Sequence, residues 1–322
     1  MRPDGPGVNV IAQDANQSFQ RPDWSPDGRQ IAFSVGLVGP ALMAADGSDR
    51  RIVPIADAPP FHGHKLSFAP DGRHLAYGRH SHPDRLTTRV DIWRTRIDGG
   101  RDRRLASGSL PAWSPNGRMI AYVAGGIEEE GPIALMNAKT GKLIRYLRAR
   151  ASWLDWSPDG RWLLYSRQTR KGPGFPDLYS IRADGRGSPR RLTKSRYQFE
   201  PRAVWSPDGR KIAFVRSPYF DEESDSGSSI WTMRADGTHK KQIHREPFLI
   251  PALSWQALPR EGGVRGRAIR QGLRLQRRAL LASAEGGAGD RPAASRPRWS
   301  GLSVLGRAPH AARDGLATWR TG

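Results

Sequence analysis

One six-residue phrase, written five times, restricts the architecture more than anything else in the chain. It reads Trp24-Ser-Pro-Asp-Gly-Arg29, Phe68-Ala-Pro-Asp-Gly-Arg73, Trp113-Ser-Pro-Asn-Gly-Arg118, Trp156-Ser-Pro-Asp-Gly-Arg161 and Trp205-Ser-Pro-Asp-Gly-Arg210, with successive aromatics 44, 45, 43 and 49 residues apart. A sixth aromatic, Trp255, follows after another 50 residues without the turn. A fixed period of this length means one supersecondary unit repeated, each copy burying its apolar face against the next.

The phrase is a turn. Proline presets φ at the first corner, Asp or Asn suits the second, and Gly takes the left-handed position that closes it. A strand follows in Ile31-Ala-Phe33, Leu75-Ala-Tyr77, Ile120-Ala-Tyr122 and Ile212-Ala-Phe214, where large residues on one face flank a small one on the other. Large faces can then pack onto the small-residue faces of neighbouring sheets. A second hairpin signature comes later in the unit, at Met43-Ala-Ala-Asp-Gly47, Arg96-Ile-Asp-Gly-Gly100, Arg182-Ala-Asp-Gly185 and Met233-Arg-Ala-Asp-Gly237, with Asn137-Ala-Lys-Thr-Gly141 in the third copy. Two hairpins per unit make four short strands, the blade of a β-propeller.

The expected fold is therefore all-β: a six-bladed propeller over residues 1–256, with five complete blades and one incomplete blade. Met1-Arg-Pro-Asp-Gly5 aligns with Met233-Arg-Ala-Asp-Gly237, so the chain is expected to begin in mid-blade. Leu253 to Trp255 would supply the inner strand of the sixth blade and Val8 to Ile11 its outer one. Its two middle strands are missing, and any signal peptide would lie upstream. Unpaired edges there offer a route to association; otherwise a monomer is expected. Residues 257–322, rich in Arg, Ala and Gly, carry neither signature and are expected to be a disordered tail, apart from a possible basic helical turn at Leu273 to Leu281.

The net charge of +21 raises the question of nucleic acid. The tail holds 13 Arg against 4 acidic residues, and the remaining basic residues are mostly single arginines spread through every repeat without interleaved aromatics. That is not the footprint of a nucleic-acid platform. No apolar run is long enough for a membrane helix, and with no cysteine there is neither a disulfide framework nor a thiolate metal site.

The five hairpins followed by Ile-Ala-Phe resemble the repeats of the TolB family across residues 1 to about 256. The resemblance implies a periplasmic or secreted protein that binds a protein partner in the cell envelope, as TolB does in the Tol-Pal system. Similar blades occur in the propellers of prolyl oligopeptidase-like hydrolases. No charged-then-apolar leader is visible at the N-terminus.

A catalytic residue is needed once, whereas Asp27, Asp71, Asp159 and Asp208, with Asn116, recur in one turn and read as scaffold. Variation between blades falls on the opposite face, where a protein or peptide is expected to bind. Three groups there bear chemistry. His62, His64, His80 and His82 come to one side of the second blade, the side-by-side imidazoles a metal ion would need. Asp221, Glu222 and Glu223 offer oxygen ligands without EF-hand spacing. Glu128, Glu129 and Glu130 form an acidic loop suited to a basic partner or ion, and for all three groups a solvated loop is the plainer reading. No Gly-x-Ser-x-Gly elbow, phosphate loop or His-Glu-x-x-His zinc helix occurs. A non-catalytic protein-binding propeller without a cofactor is the leading expectation. The alternatives are the propeller of an oligopeptidase-like hydrolase, or a propeller that takes a small molecule or sugar in its central channel.

Overall fold

The computed structural model describes residues 19–35, 38–55, 65–80, 90–125, 130–168, 176–194, 198–199, 202–218, 227–246, 253–256 and 302–304. All regular structure among them is β-strand. The first blade comprises β1 (Phe19–Trp24), β2 (Gln30–Val35), β3 (Gly39–Ala44) and β4 (Arg51–Ile52). The second comprises β5 (Leu66–Phe68), β6 (His74–His80), β7 (Val90–Arg96) and β8 (Arg103–Ser107). The third is built from β9 (Ser109–Trp113), β10 (Met119–Val123), β11 (Gly131–Asn137) and β12 (Leu143–Ala151). In the fourth, β13 (Trp153–Trp156), β14 (Trp162–Gln168), β15 (Pro176–Arg182) and β16 (Arg190–Arg191) repeat the pattern. The fifth splits its inner strand into β17 (Gln198–Phe199) and β18 (Ala203–Trp205), both paired to β19 (Lys211–Pro218), and continues with β20 (Ser228–Arg234) and β21 (Lys241–Glu246).

Every pairing is antiparallel and, apart from β17 with β19, joins sequence neighbours, as hairpins within a unit require. The sequence phrase forms the first turn. Ser25 Oγ donates to Asp27 Oδ1 at 2.6 Å, the Arg29 amide donates to the same oxygen, the Gln30 amide donates to Ser25 Oγ, and Gly28 sits at φ +68°. Ser114 with Asn116, Ser157 with Asp159 and Ser206 with Asp208 repeat the arrangement. In the second blade Ala69 replaces the serine, and His74 Nδ1 bonds Asp71 Oδ2 at 2.7 Å instead. These aspartates act on their own turn, which accounts for their recurrence.

Blades stack large face on small face. Ala32 and Leu42 of the first blade pack with Leu66, Leu75 and Tyr77 of the second, and Ala76 of the second packs with Ile120 and Tyr122 of the third. Ala121 of the third meets Trp156, Leu163 and Tyr165 of the fourth. Leu164, not alanine, holds the equivalent position in the fourth blade and packs against Trp205 and Phe214 of the fifth. The outer strands add a clasp. Arg51 donates to the Ile97 carbonyl, Arg103 to Lys139 and Thr140, Arg145 to Asp184, and Arg190 to Asp236, each time reaching the second hairpin of the next blade. The arginines spread through the repeats are in good part this inter-blade fastening.

Five blades of at least four strands are thus present, against an expectation of six with one incomplete. Among the described residues only a two-stranded sheet follows the fifth, β22 (Leu253–Trp255) with β23 (Leu302–Val304). The expected partner of β22, Val8 to Ile11, lies outside the described residues, as does Leu273 to Leu281. Its observed partner is a strand inside the segment expected to be disordered, in the register Leu253 to Val304 and Trp255 to Leu302. β22 packs between β18 and β1, with Val204, Ala213 and Val215 against Leu253 and Trp255. The Trp24 amide donates to Ser254 Oγ at 3.2 Å, and Gln256 Nε2 donates to the Gly28 carbonyl at 3.1 Å. First and last described inner strands therefore meet, and β1, β5, β9, β13, β18 and β22 close a ring around the axis.

Candidate functional site

The inner strands line an axial channel, and two columns of the repeat face it. One position before each aromatic stand Asp23, Ser67, Ala112, Asp155, Val204 and Ser254. Three positions before stand Arg21, Lys65, Leu110, Trp153 and Arg202. The first column ties blade to blade: Asp23 Oδ2 accepts from the Phe68 amide at 2.7 Å, Ser67 Oγ from Trp113 at 2.9 Å and Asp155 Oδ2 from Trp205 at 2.8 Å. Where Ala112 has no acceptor side chain, its carbonyl takes the Trp156 indole N–H at 2.9 Å. The second column sits where inner strands depart from regular pairing. Arg21 lies in a bulge of β1 at φ +54°, Leu110 in one of β9 at φ +55°, and Arg202 in the break between β17 and β18.

Lys65 crosses the channel. Its stem rises from the second blade, its ammonium donates to the Leu154 carbonyl of the fourth, and the same nitrogen lies 4.8 Å from the centre of the Trp153 ring. Arg202 approaches that ring too, Cζ to centroid 5.8 Å. Trp153 is fixed by its own indole N–H, donated to the Ala203 carbonyl at 3.1 Å. Lys65 is 9% exposed, whereas Asp23 and Asp155 are only half-buried.

Burial pushes the Asp23 carboxyl up to about 7, against the pull of the Phe68 amide and Lys65 and with a push from Asp155. Asp155 is likewise raised by burial to about 6, offset by Lys65 and by the Trp205 and Trp156 amides. Burial holds Lys65 below the ordinary lysine value although both carboxylates favour its charge. The channel is a low-dielectric place where one ammonium between two carboxylates does not repay their desolvation.

The sign of the pH dependence follows. Both carboxyls bind protons more tightly folded than unfolded, so their contribution is most favourable below about pH 4 and is lost as pH rises through 6 to 7. Asp23→Asn keeps an oxygen for the Phe68 amide and removes the titration. Its urea midpoint is expected to gain on the wild type between pH 5 and pH 8, by the equivalent of about 1 kcal/mol after allowing for channel water. Parallel curves would disprove the assignment.

Of the residues singled out from sequence, His80 ends β6, opposite Val90 of β7, half-buried. Glu130 precedes β11, its carbonyl accepting from Arg150 and its carboxylate from the Gln168 amide. His62, His64, His82, Glu128, Glu129, Asp221, Glu222 and Glu223 lie outside the described residues. Among the described residues no three His, Asp or Glu side chains group as for a metal ion. The channel residues carry no repeated motif, whereas a motif is recognised by the columns that repeat. The signal was the column that does not, read at fixed offset from each aromatic.

Comparison with known proteins sets this frame in context. No protein-family model matches the chain. It is 30% identical over 234 residues to the uncharacterized protein Atu1656 of Agrobacterium fabrum, covering 68% of this chain and 73% of that one. It is 32% identical over 153 residues to the uncharacterized peptidase YuxL of Bacillus subtilis, covering 45% of this chain but only 21% of that protein. Among solved structures, a protein described as a TolB from Agrobacterium tumefaciens superposes with a TM-score of 0.61 at 23% identity, over 74% of this chain and 84% of that one. TolB from Acinetobacter baumannii gives 0.53 at 19% identity, over 77% and 58%. An oligogalacturonate lyase in complex with manganese gives 0.50 at 12% identity over 77% and 71%, a likeness of fold alone. With the repeated turn, the stacked four-stranded blades and these neighbours in agreement, the chain has the TolB-like β-propeller fold and belongs to one family with the Agrobacterium protein Atu1656.

Proposed function

We propose that the chain is a non-catalytic, six-bladed TolB-like propeller of the cell envelope that presents its loop-bearing face and axial channel to a protein or peptide. The observation that carries this reading is the contrast within the repeat. The Ser-Asp turn, the inter-blade amide bonds and the arginine clasp recur from blade to blade, while the channel column changes from Arg21 to Lys65, Leu110, Trp153 and Arg202. A repeated frame with a varied lining serves recognition, and one scaffold hosts many tasks, so the lining and not the fold decides the partner. Six blades rest on the place of β22 between β18 and β1.

The test is a pulldown from cell-envelope extract with wild type and Lys65→Met side by side, the protein held well above micromolar concentration. A partner retained by the wild type and weakened at least tenfold by the variant is expected; no partner, or one indifferent to the channel, would count against the reading. The match to a peptidase over 153 residues favours a second reading, the propeller of an oligopeptidase-like hydrolase. Turnover of peptide or acyl-ester substrates by the purified chain would elevate that reading over the first.

A further inference from the structure

We propose that the channel holds an oxyanion site, formed by Arg21, Arg202 and Lys65 beside the ring of Trp153, that takes a multiply charged phosphate or carboxylate group. The three cations hold one column of the repeat, on or beside the inner strands of blades one, five and two, and so stand on different sides of the axis. Two are carried on irregular backbone, Arg21 in its left-handed bulge and Arg202 at the break of its strand. Strained or interrupted backbone at matched positions aims side chains that regular pairing would place elsewhere.

Lys65 already has the Leu154 carbonyl and the fields of Asp23 and Asp155. The two guanidiniums have neither: among the described residues Arg21 has no carboxylate within ion-pair distance, and Arg202 has only the Trp153 face. They are also near each other. Arg21 holds Arg202 down, after burial, to about 9, and it acts against the charge of Lys65 as well. Like charges gathered in a low-dielectric channel cost stability. Such an arrangement fits a ligand that supplies the missing negative charge, and a guanidinium fork matches the oxygens of phosphate and carboxylate in pairs. Trp153, fixed at Ala203 and flanked by two cations, gives the site a flat rigid wall. The inference does not depend on a protein partner.

Thermal unfolding of the whole chain in inorganic phosphate, in malonate and in sodium chloride at matched ionic strength tests it, with the Arg21→Gln/Arg202→Gln double variant in parallel. Phosphate or malonate is expected to raise the wild-type midpoint beyond chloride, each tenfold increase above the dissociation constant multiplying the folding constant about tenfold. General salting effects act equally on the variant, so the comparison removes them. The variant is expected to melt no lower than wild type without ligand, because a repulsion is gone, and to lose the oxyanion response. Which of the two anions acts identifies the source of the charge. Equal responses to all three salts, a response kept by the variant, or a variant that melts lower without ligand would each overturn the site, the last by showing that the guanidiniums brace the scaffold.

Discussion

Replacing Trp156 by alanine is expected to cost about 4 kcal/mol. Trp156 is 5% exposed and belongs to the cluster that joins blades three and four, with Ala112, Ala121, Val123, Leu163 and Tyr165. Truncation removes the ring and opens a cavity that two rigid sheets cannot close. It also removes the one bond by which its indole N–H holds Ala112 at 2.9 Å, at a step of the ring where no side-chain oxygen is available. Trp156→Phe separates the effects: most of the packing stays, the carbonyl loses its donor, and about 1 kcal/mol is expected. Trp205 provides the control, since its indole nitrogen has no hydrogen-bond partner among the described residues. Trp205→Phe is therefore expected to cost less than Trp156→Phe, although both rings are buried. Urea unfolding followed by circular dichroism measures all three. Equal losses for the alanine and phenylalanine variants at position 156 would show that the hydrogen bond and not the packing is what the tryptophan supplies.

That difference between two tryptophans in one repeat position shows where the sequence stopped being legible. The turn, the inner face of the second strand and the small-on-large stacking of blades were readable, because each rests on local chemistry written several times: Gly28 in its left-handed position, Ala32 between Ile31 and Phe33. What one blade does to the next was not. Ser67 and Asp155 perform the same task with different atoms, and Ala112 delegates it to a neighbour's indole. Similarity of sequence does not track such substitutions; position relative to the axis does. The fourth strands were dim for another reason. Arg51–Ile52 and Arg190–Arg191 are two residues long and exposed, so no alternation marks them, and their arginines looked like dispersed charge until their carbonyl partners in the next blade were seen. Leu302–Val304 is too short for a period-two signal to stand out from the Arg-rich segment around it.

A second large effect is expected at Arg191, and its interest lies in an asymmetry. Asp177 in β15 is 0% exposed at its side chain and is paired with Arg191 of β16, which is 38% exposed. Thr193 Oγ1 also donates to the carboxylate at 3.3 Å while accepting from the Leu178 amide at 2.9 Å. Arg191→Met keeps the aliphatic stem but takes the guanidinium away from a carboxylate whose side chain is fully buried, so a loss of about 3 kcal/mol is expected. Asp177→Ala removes the buried charge itself, and the stranded guanidinium can turn to water, so the loss is expected to be about 1 kcal/mol. The double variant should then be more stable than Arg191→Met alone, the reverse of what two independent stabilising groups would give. Asp91 and Arg104 repeat the pair in blade two, with side-chain exposures of 6% and 46%. There Ser107 Oγ donates to Asp91 at 2.8 Å, so Arg104→Met is expected to cost less than Arg191→Met. Urea unfolding at pH 7 followed by circular dichroism measures the two single variants and the double variant. A double variant no more stable than Arg191→Met would mean that Arg191 acts through its stem against the sheet, not through its charge.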